Sequence, residues 1–128
     1  MFRAILQIYA KGSNEAFDFY RKAFDAEIGF QDFDENGTVI HRELDVCGQA
    51  IAVGEAKDTT RAGGDKRRTG NTMQFCLQFG EGQEDQVRRA YDILCEEGEI
   101  ITPFGELSFC PCGVELIDKY GVWWCLFA

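Results

Sequence analysis

His41 and Glu43 are the two residues of this sequence whose types and spacing best suit chemistry. They are two positions apart in a segment with strand-like alternation, so both side chains should lie on one face. A carboxylate beside an imidazole can support general acid–base catalysis. The pair could equally be an exposed ion pair or a contact between protomers. We predict His41 and Glu43 as catalytic residues, without assigning them a serine or cysteine nucleophile.

Six cysteines form the second set of reactive side chains. Most lie within apolar runs, where a free cysteine usually acts as a small buried hydrophobe. Cys110 and Cys112 are close enough in sequence to suggest a metal or an oxidant. Two thiols without a second pair or neighbouring histidines are a weak indication of zinc. We therefore predict mainly packing roles and no structural metal, and leave a redox or metal role of Cys110 and Cys112 open.

The elements that must position these residues follow from length and composition. The chain has 128 residues, 45% of them hydrophobic, and a formal net charge of −9. These values indicate one folded domain and argue against disorder. The acidic balance argues against a nucleic-acid partner, and no apolar run reaches the roughly 20 residues that span a bilayer. The start of the chain does not resemble a signal peptide, so we expect a cytoplasmic protein without a membrane partner.

Hydrophobic periodicity divides the chain into two similar halves. In the first half, the spacing of apolar residues predicts a strand at 3–10, a helix at 15–25 and strands at 26–33, 38–47 and 49–54. The second half predicts a strand at 73–79, a helix at 84–97 that ends at Gly98, and strands at 99–102, 109–117 and 122–127. Each half therefore has the order βαβββ. Such self-similarity indicates a duplicated unit.

The boundaries of this repeat define the predicted domain organisation. We predict a single domain over 1–128, with a first module at 1–55 and a second at 72–128. The intervening residues 56–71 are polar, contain glycine and lack periodicity, which is typical of a solvated linker. Their basic residues could instead bind a phosphate or an acidic ligand.

Four stretches of sequence carry a family resemblance: GSNEAFDFYRKAFDAEI, VIHRELDVCGQAIAVGEA, EDQVRRAYDILCEEGEIITP and GVELIDKYGVWWCLF. Their most specific features are Ala16 with Tyr20, His41 before Glu43, and the Asp118-x2-Gly121-x2-Trp124 spacing. In this order they resemble the vicinal oxygen chelate superfamily, which includes glyoxalase I, bleomycin-resistance proteins and extradiol dioxygenases, and within it the PhnB-like branch. The resemblance implies an α+β fold of two tandem βαβββ modules, whose curved mixed sheets surround a cavity and are usually completed by a homodimer.

Enzymes of this superfamily hold a divalent metal with four side chains of the His and Glu type. Gln7 and Gln74 stand at two of the corresponding positions as neutral amides, and His41 is the sole histidine of the chain. We therefore expect no tightly held catalytic metal and no other cofactor. The resemblance places the full set of metal positions at Gln7, at His41 or its neighbours Arg42 and Glu43, at Gln74, and at Cys125.

Strand parity extends these positions to a predicted ligand-binding face. The face is apolar and aromatic with a few polar groups, which is typical of a small-molecule pocket. The same side chains could instead simply fill the curved sheets or a contact between protomers. The predicted ligand-binding residues are Gln7, Tyr9, Gln74, Cys76, Trp123, Cys125 and Phe127.

Three functions remain open at this level. We favour a PhnB-like small-molecule-binding protein that works as a homodimer and, being acidic, prefers a cationic or neutral ligand. The first alternative is a metal-dependent enzyme of the glyoxalase or dioxygenase type, with metal recruited through His41, Glu43 and Cys125. The second is an interaction module whose concave face is covered by a partner protein. A methyltransferase is not predicted, because the chain lacks a glycine-rich turn between a first strand and its helix.

Overall fold

The structure is a computed structural model, and it describes residues 3–56 and 73–128. The described residues form two α-helices and eight β-strands. Those of the first module are β1 Ile5–Ala10, α1 Ser13–Phe24, β2 Glu27–Phe33, β3 Val39–Val46 and β4 Gln49–Glu55. Those of the second module are β5 Phe75–Gln78, α2 Glu84–Leu94, β6 Glu99–Leu107, β7 Cys110–Ile117 and β8 Trp123–Phe127.

Each module is a four-stranded mixed sheet with one helix. The strand order is β1-β4-β3-β2 in module 1 and β5-β8-β7-β6 in module 2. In both, the first and last strands of the module pair in parallel and the other neighbours pair antiparallel. Neither sheet closes on itself. The predicted α+β fold of two βαβββ modules is confirmed.

Alternation along the strands separates a helix-covered face from an opposite face. In module 1, Leu44 and Ile51 are fully buried together with Phe17 of α1. Arg42 lies on this helix side as well, with its guanidinium 3.7 Å from the centre of the Phe17 ring. His41 and Glu43, one position away on either side, therefore belong to the opposite face.

The largest differences from the predicted elements lie at two points of module 2. The helix α2 ends at Leu94 rather than at residue 97, and β6 continues to Leu107 beyond the predicted end at residue 102. Strand β6 contains Pro103, which cannot donate a ladder hydrogen bond. It is tolerated because β6 is an edge strand, and register shifts between Ile100 and Leu107 absorb the irregularity.

The turn between β7 and β8 is built around a buried aspartate. Asp118 is 3% exposed, and its Oδ1 accepts hydrogen bonds from the backbone N–H groups of Tyr120 and Val122 at 2.8 and 3.1 Å. Its Oδ2 accepts one from the indole N–H of Trp124 at 2.8 Å. Asp118 therefore joins the turn to the largest side chain of the module 2 core.

The chain divides into two compact units, Met1–Arg67 and Arg68–Ala128. The boundary falls within 57–72, so the predicted linker at 56–71 lies outside the described residues except for Ala56. Ala56 is buried, and its N–H donates to the carbonyl of Ala10 at 2.9 Å. The predicted division into 1–55 and 72–128 within one domain stays a prediction. Of the helices in the described ranges, none has both the length and the apolar character that a membrane crossing requires.

Candidate functional site

On the face of module 1 that α1 does not cover, three residues of neighbouring strands lie side by side. Gln7 on β1 is paired with Ala52 on β4, and Ala52 is paired with Glu43 on β3. Glu43 is 2% exposed, which is rare for a glutamate unless its charge is compensated. The compensation comes from two neighbours, Arg3 and His41.

Arg3 and His41 together satisfy the carboxylate of Glu43. Arg3 donates from Nη1 to Oε2 at 2.6 Å and from Nη2 to Oε1 at 3.0 Å, a two-pronged pair of bonds. His41 Nε2 lies 2.8 Å from Oε1 and acts as donor, because an ionised carboxylate only accepts. The Arg3 guanidinium, and to a smaller extent His41, lower the pKa of Glu43 against the opposing effect of burial. Glu43 is therefore held as an anion.

A cavity of about 350 Å³ opens beside this cluster. Its charged groups are Glu43, Asp45 and Arg3, and Phe30 provides an aromatic side chain that is 59% exposed. Gly29 leaves room next to Glu43, since a Cβ there would lie 3.5 Å from the Glu43 Cβ. The cavity, called the Glu43 cavity below, is lined by Arg3, Ala4, Gly29, Phe30, Glu43, Leu44, Asp45, Gly48 and Ala50.

The predicted ligand-binding residues of module 1 lie on the same face but outside this lining. Tyr9 is half-exposed, and Gln7 donates from Nε2 to the Ile8 carbonyl at 3.4 Å. Both side chains lie against Gly54, where a Cβ would be 3.0 Å from Gln7 Nε2 and 3.4 Å from the Tyr9 ring. Of the predicted residues in module 1, Glu43 alone lines the cavity. His41 does not line it but hydrogen-bonds to the Glu43 carboxylate.

Module 2 carries a corresponding row with different side chains. Cys76 on β5 is paired with Cys125 on β8, and Cys125 is paired with Glu115 on β7. Thr102 on β6 donates from Oγ1 to Glu115 Oε2 at 3.1 Å. Burial is the main reason that the pKa of the Cys125 thiol is raised to about 12, with Cys76 and Glu115 adding to it. Cys125 is therefore a neutral thiol and a poor metal ligand near neutral pH.

Of the remaining predicted residues of module 2, one packs against another ring and two have a buried side-chain nitrogen. Phe127 packs edge-to-face on Phe109, with ring centres 5.1 Å apart. Gln74 accepts from the Cys76 thiol through Oε1 at 3.4 Å. The side-chain nitrogens of Gln74 and Trp123 are buried and have no hydrogen-bond partner within the part of the chain that the structure describes.

The residues at the family's metal positions do not fit a divalent metal. The last strand of module 1 is β4, and its residue opposite Gln7 is Ala52, which has no donor atom. His41 and Glu43 lie on β3, and Glu43 is already bonded to Arg3. In module 2 the predicted positions are Gln74, a neutral amide, and Cys125, a neutral thiol whose register partner is Cys76 rather than Gln74. Over residues 3–56 and 73–128, no group of three or more His, Cys, Asp or Glu side chains could hold a metal ion.

Arg3, Phe30 and Asp45 are the charged and aromatic residues of the cavity lining that sequence reasoning missed. Two of them had a usable signal. Extending the β1 alternation back by one step from Ile5 reaches Arg3, and extending the β3 alternation forward from Glu43 reaches Asp45. Phe30 had none, because the register of β2 shifts between Ile28 and Gln31 and breaks the alternation there.

No family model matches this sequence. A search of curated proteins also finds no match. Solved structures do match over nearly the whole chain. The PhnB protein from Bacillus cereus is 27% identical, with a TM-score of 0.70 over 98% of this chain and 97% of that one. The protein PA1353 from Pseudomonas aeruginosa is 16% identical, with a TM-score of 0.72 over 99% and 97%.

A third similar structure comes from an antibiotic-resistance protein. The fosfomycin resistance protein FosX from Listeria monocytogenes, in complex with Mn(II) and sulfate, is 13% identical, with a TM-score of 0.63. The match covers 98% of this chain and 87% of FosX. At that identity the likeness concerns the fold alone. Together with the module topology, these comparisons confirm the predicted resemblance: the chain has the fold of the vicinal oxygen chelate superfamily, and a PhnB protein is among its structural neighbours.

Proposed function

We propose that this protein is a PhnB-like small-molecule-binding protein that takes a cationic or neutral organic ligand in the Glu43 cavity and works without a tightly held catalytic metal. The observation that carries the proposal is the cluster of Arg3, Glu43 and His41. Its central carboxylate has three short contacts to nitrogen donors. A divalent ion would have to displace a guanidinium to reach it.

The size and composition of the cavity support a small organic ligand. Its volume of about 350 Å³ is at the lower end of the range for ligand pockets, about 300–1,000 Å³. Phe30 supplies an exposed aromatic ring for stacking, and Gly29 and Ala50 leave space close to the sheet. Such a combination of apolar walls with a few polar groups is the usual composition of a small-molecule site.

Charge supports the choice of a cationic or neutral ligand. Two carboxylates, Glu43 and Asp45, line the cavity against one guanidinium, Arg3. The net charge of the chain, −9, has the same sign and would repel an anion at long range. Because Arg3 already offsets Glu43, the carboxylate best placed to meet a ligand cation is that of Asp45.

Two further elements of the proposal come from the predictions made above. His41 and Glu43 are proposed as an acid–base pair, should the ligand be a substrate, because the imidazole Nε2 and the carboxylate share a 2.8 Å contact. A homodimer is proposed as the working form, and a measured solution mass would test it. Neither element is needed for the binding test that follows.

A pair of probes of equal size and opposite charge tests the binding site. Benzamidinium should bind the full chain more tightly than benzoate, by about fivefold, because one exposed charge interaction contributes about 1 kcal/mol. Asp45→Asn, which keeps an oxygen for the Gly48 N–H, should abolish most of that preference. Asp32→Asn is the matched control, since Asp32 is exposed and lies outside the cavity lining. Ligand-observed NMR titration measures the dissociation constants of both probes for the wild type and the two variants.

Two results would contradict this assignment of the site. One is equal binding of benzoate and benzamidinium, and the other is equal loss of binding in Asp32→Asn and Asp45→Asn. The metal part of the proposal has a separate test. Untagged protein dialysed against Mn(II), Ni(II) or Zn(II) should retain substoichiometric metal by elemental analysis. Stoichiometric retention that is lost in Glu43→Gln would favour the metal-dependent enzyme instead.

A further inference from the structure

Two thiols of module 2 face each other across a parallel pair of strands. Cys76 of β5 and Cys125 of β8 are direct register partners. Neighbouring strands are about 4.8 Å apart, which lies within the range of Cα separations in disulfides, about 4.4–6.8 Å. Because they are direct register partners, the two side chains lie on the same face of the sheet.

This pair differs from the one that the sequence suggested. Cys110 and Cys112 are two apart on the single strand β7, where extended residues are separated by about 6.6 Å, at the outer limit for a disulfide. The thiol of Cys110 is directed to the Cys112 carbonyl at 3.4 Å rather than to its sulfur. Cys76 and Cys125 are 49 positions apart, and strand pairing alone brings them together.

The two thiols of the pair also differ in accessibility. Cys76 is exposed, whereas Cys125 is 3% exposed. A reagent from solution therefore reaches Cys76 first, and Cys125, beside it on the neighbouring strand, can then displace the group that Cys76 has acquired. This is the arrangement of an exposed, attacking thiol next to a resolving thiol.

We propose that Cys76 and Cys125 are a dithiol modification site that low-molecular-weight disulfides, such as glutathione disulfide, oxidise to a cross-strand disulfide. In the first step the Cys76 thiolate attacks one sulfur of the reagent, forms a mixed disulfide and releases one glutathione thiol. In the second step the Cys125 thiolate attacks the Cys76 sulfur and releases the other. The reagent is reduced to two thiols, and each cysteine loses one hydrogen. The inference is independent of the proposed function.

The second step should depend on pH, because it needs the Cys125 thiolate. Burial raises the pKa of Cys125 to about 12, and the groups that add to this shift are Cys76 from β5 with Glu115 and Cys110 from β7. The rate of ring closure should therefore rise about tenfold per pH unit between pH 7 and 9. The mixed disulfide should accumulate at the lower pH.

Mass spectrometry of the full chain after exposure to glutathione disulfide tests the site. Samples are quenched in acid, alkylated and digested. The wild type should give a peptide pair that links Cys76 to Cys125 and lacks alkylation at both. Cys125→Ser should stop at the glutathione adduct of Cys76, and Cys76→Ser should leave Cys125 unmodified. Cys47→Ser is the matched control, since Cys47 is another exposed thiol and its removal should not change the linked pair.

The outcomes distinguish the proposed disulfide from a reaction of Cys76 that reflects only its exposure. The proposal is overturned if wild-type Cys76 stops as the glutathione adduct at every pH from 7 to 9, or if Cys125 links to another cysteine instead. Because Cys76 is exposed, Cys76→Ser should not impair folding, and circular dichroism verifies this. A linked pair that forms at a rate independent of pH would contradict the role of the buried Cys125 thiolate as the attacking group.

Discussion

The uncovered faces of the two modules place a glutamate at corresponding points of the same sheet topology but surround it differently. Glu43 is paired with Ala52 on the last strand of module 1, and Glu115 with Cys125 on the last strand of module 2. Arg3 neutralises the first, whereas the second accepts a hydroxyl hydrogen bond beside a thiol pair. The repeated fold therefore fixes positions, and the side chains at those positions decide the chemistry.

The turns that follow these glutamates show the same contrast. In module 1, Asp45 is exposed, and its Oδ1 accepts one hydrogen bond from the Gly48 N–H at 2.7 Å. In module 2, Asp118 is buried and accepts three, one of them from the core residue Trp124. The aspartate that accepts from the β3–β4 turn is thus an exposed strand residue in module 1, whereas the aspartate of the β7–β8 turn belongs to the core of module 2.

Replacing Asp45 and Asp118 should produce the largest difference between the modules. Asp118→Ala should lower the free energy of unfolding by about 3 kcal/mol, because it removes three charge-assisted hydrogen bonds, one of them from the buried Trp124 indole N–H. Asp45→Ala should lower it by less than about 1 kcal/mol, since water can replace the lost acceptor. Urea unfolding followed by tryptophan fluorescence measures both. Equal losses of unfolding free energy in the two variants would show that the burial of Asp118 does not make it more important for stability than Asp45.

A glycine-to-alanine pair should give an intermediate effect. A Cβ at Gly98 would lie 2.6 Å from the Ile117 carbonyl oxygen, a backbone atom that cannot move aside easily. Gly98→Ala should therefore destabilise by about 2 kcal/mol, as overpacking typically does. Gly29→Ala in module 1 makes only an ordinary 3.5 Å contact with Glu43 and should change stability by less than about 0.5 kcal/mol. Thermal unfolding of the two variants checks this order.

Acid titration should give the smallest effect and tests the charge cluster of module 1. Arg3 lowers the pKa of Glu43, so the stabilisation from this carboxylate is present above its usual pKa range and lost as the pH falls through its lowered value. Glu43→Gln should remove this part of the acid destabilisation, about 1 kcal/mol or less between pH 5 and pH 3. Arg3→Met should reduce it too, and Arg21→Met, at an exposed pair with Asp18, is the control. If the free energy of unfolding of Glu43→Gln falls between pH 5 and pH 3 as much as that of the wild type, the cluster does not contribute to the pH dependence of stability.

Predictions that depended on local periodicity agree with the structure. Alternation put His41 and Glu43 on one face, and their side chains do meet at 2.8 Å. The repeat of apolar positions gave two helices, each buried along one stripe. The end of α2 was less predictable. Gly98 was expected to end the helix through its backbone freedom, yet Glu97 has the positive φ, and Gly98 is needed for its close approach to Ile117.

The amino-acid sequence by itself determined the two βαβββ modules and the face on which each strand residue lies, because both follow from periodicities of neighbouring residues along the chain. Only the tertiary structure decided that Arg3 neutralises Glu43, 40 positions away, and that Cys76 meets Cys125. These contacts depend on strand order and register between distant segments. Local alternation says which face a side chain occupies but leaves open which partner lies beside it.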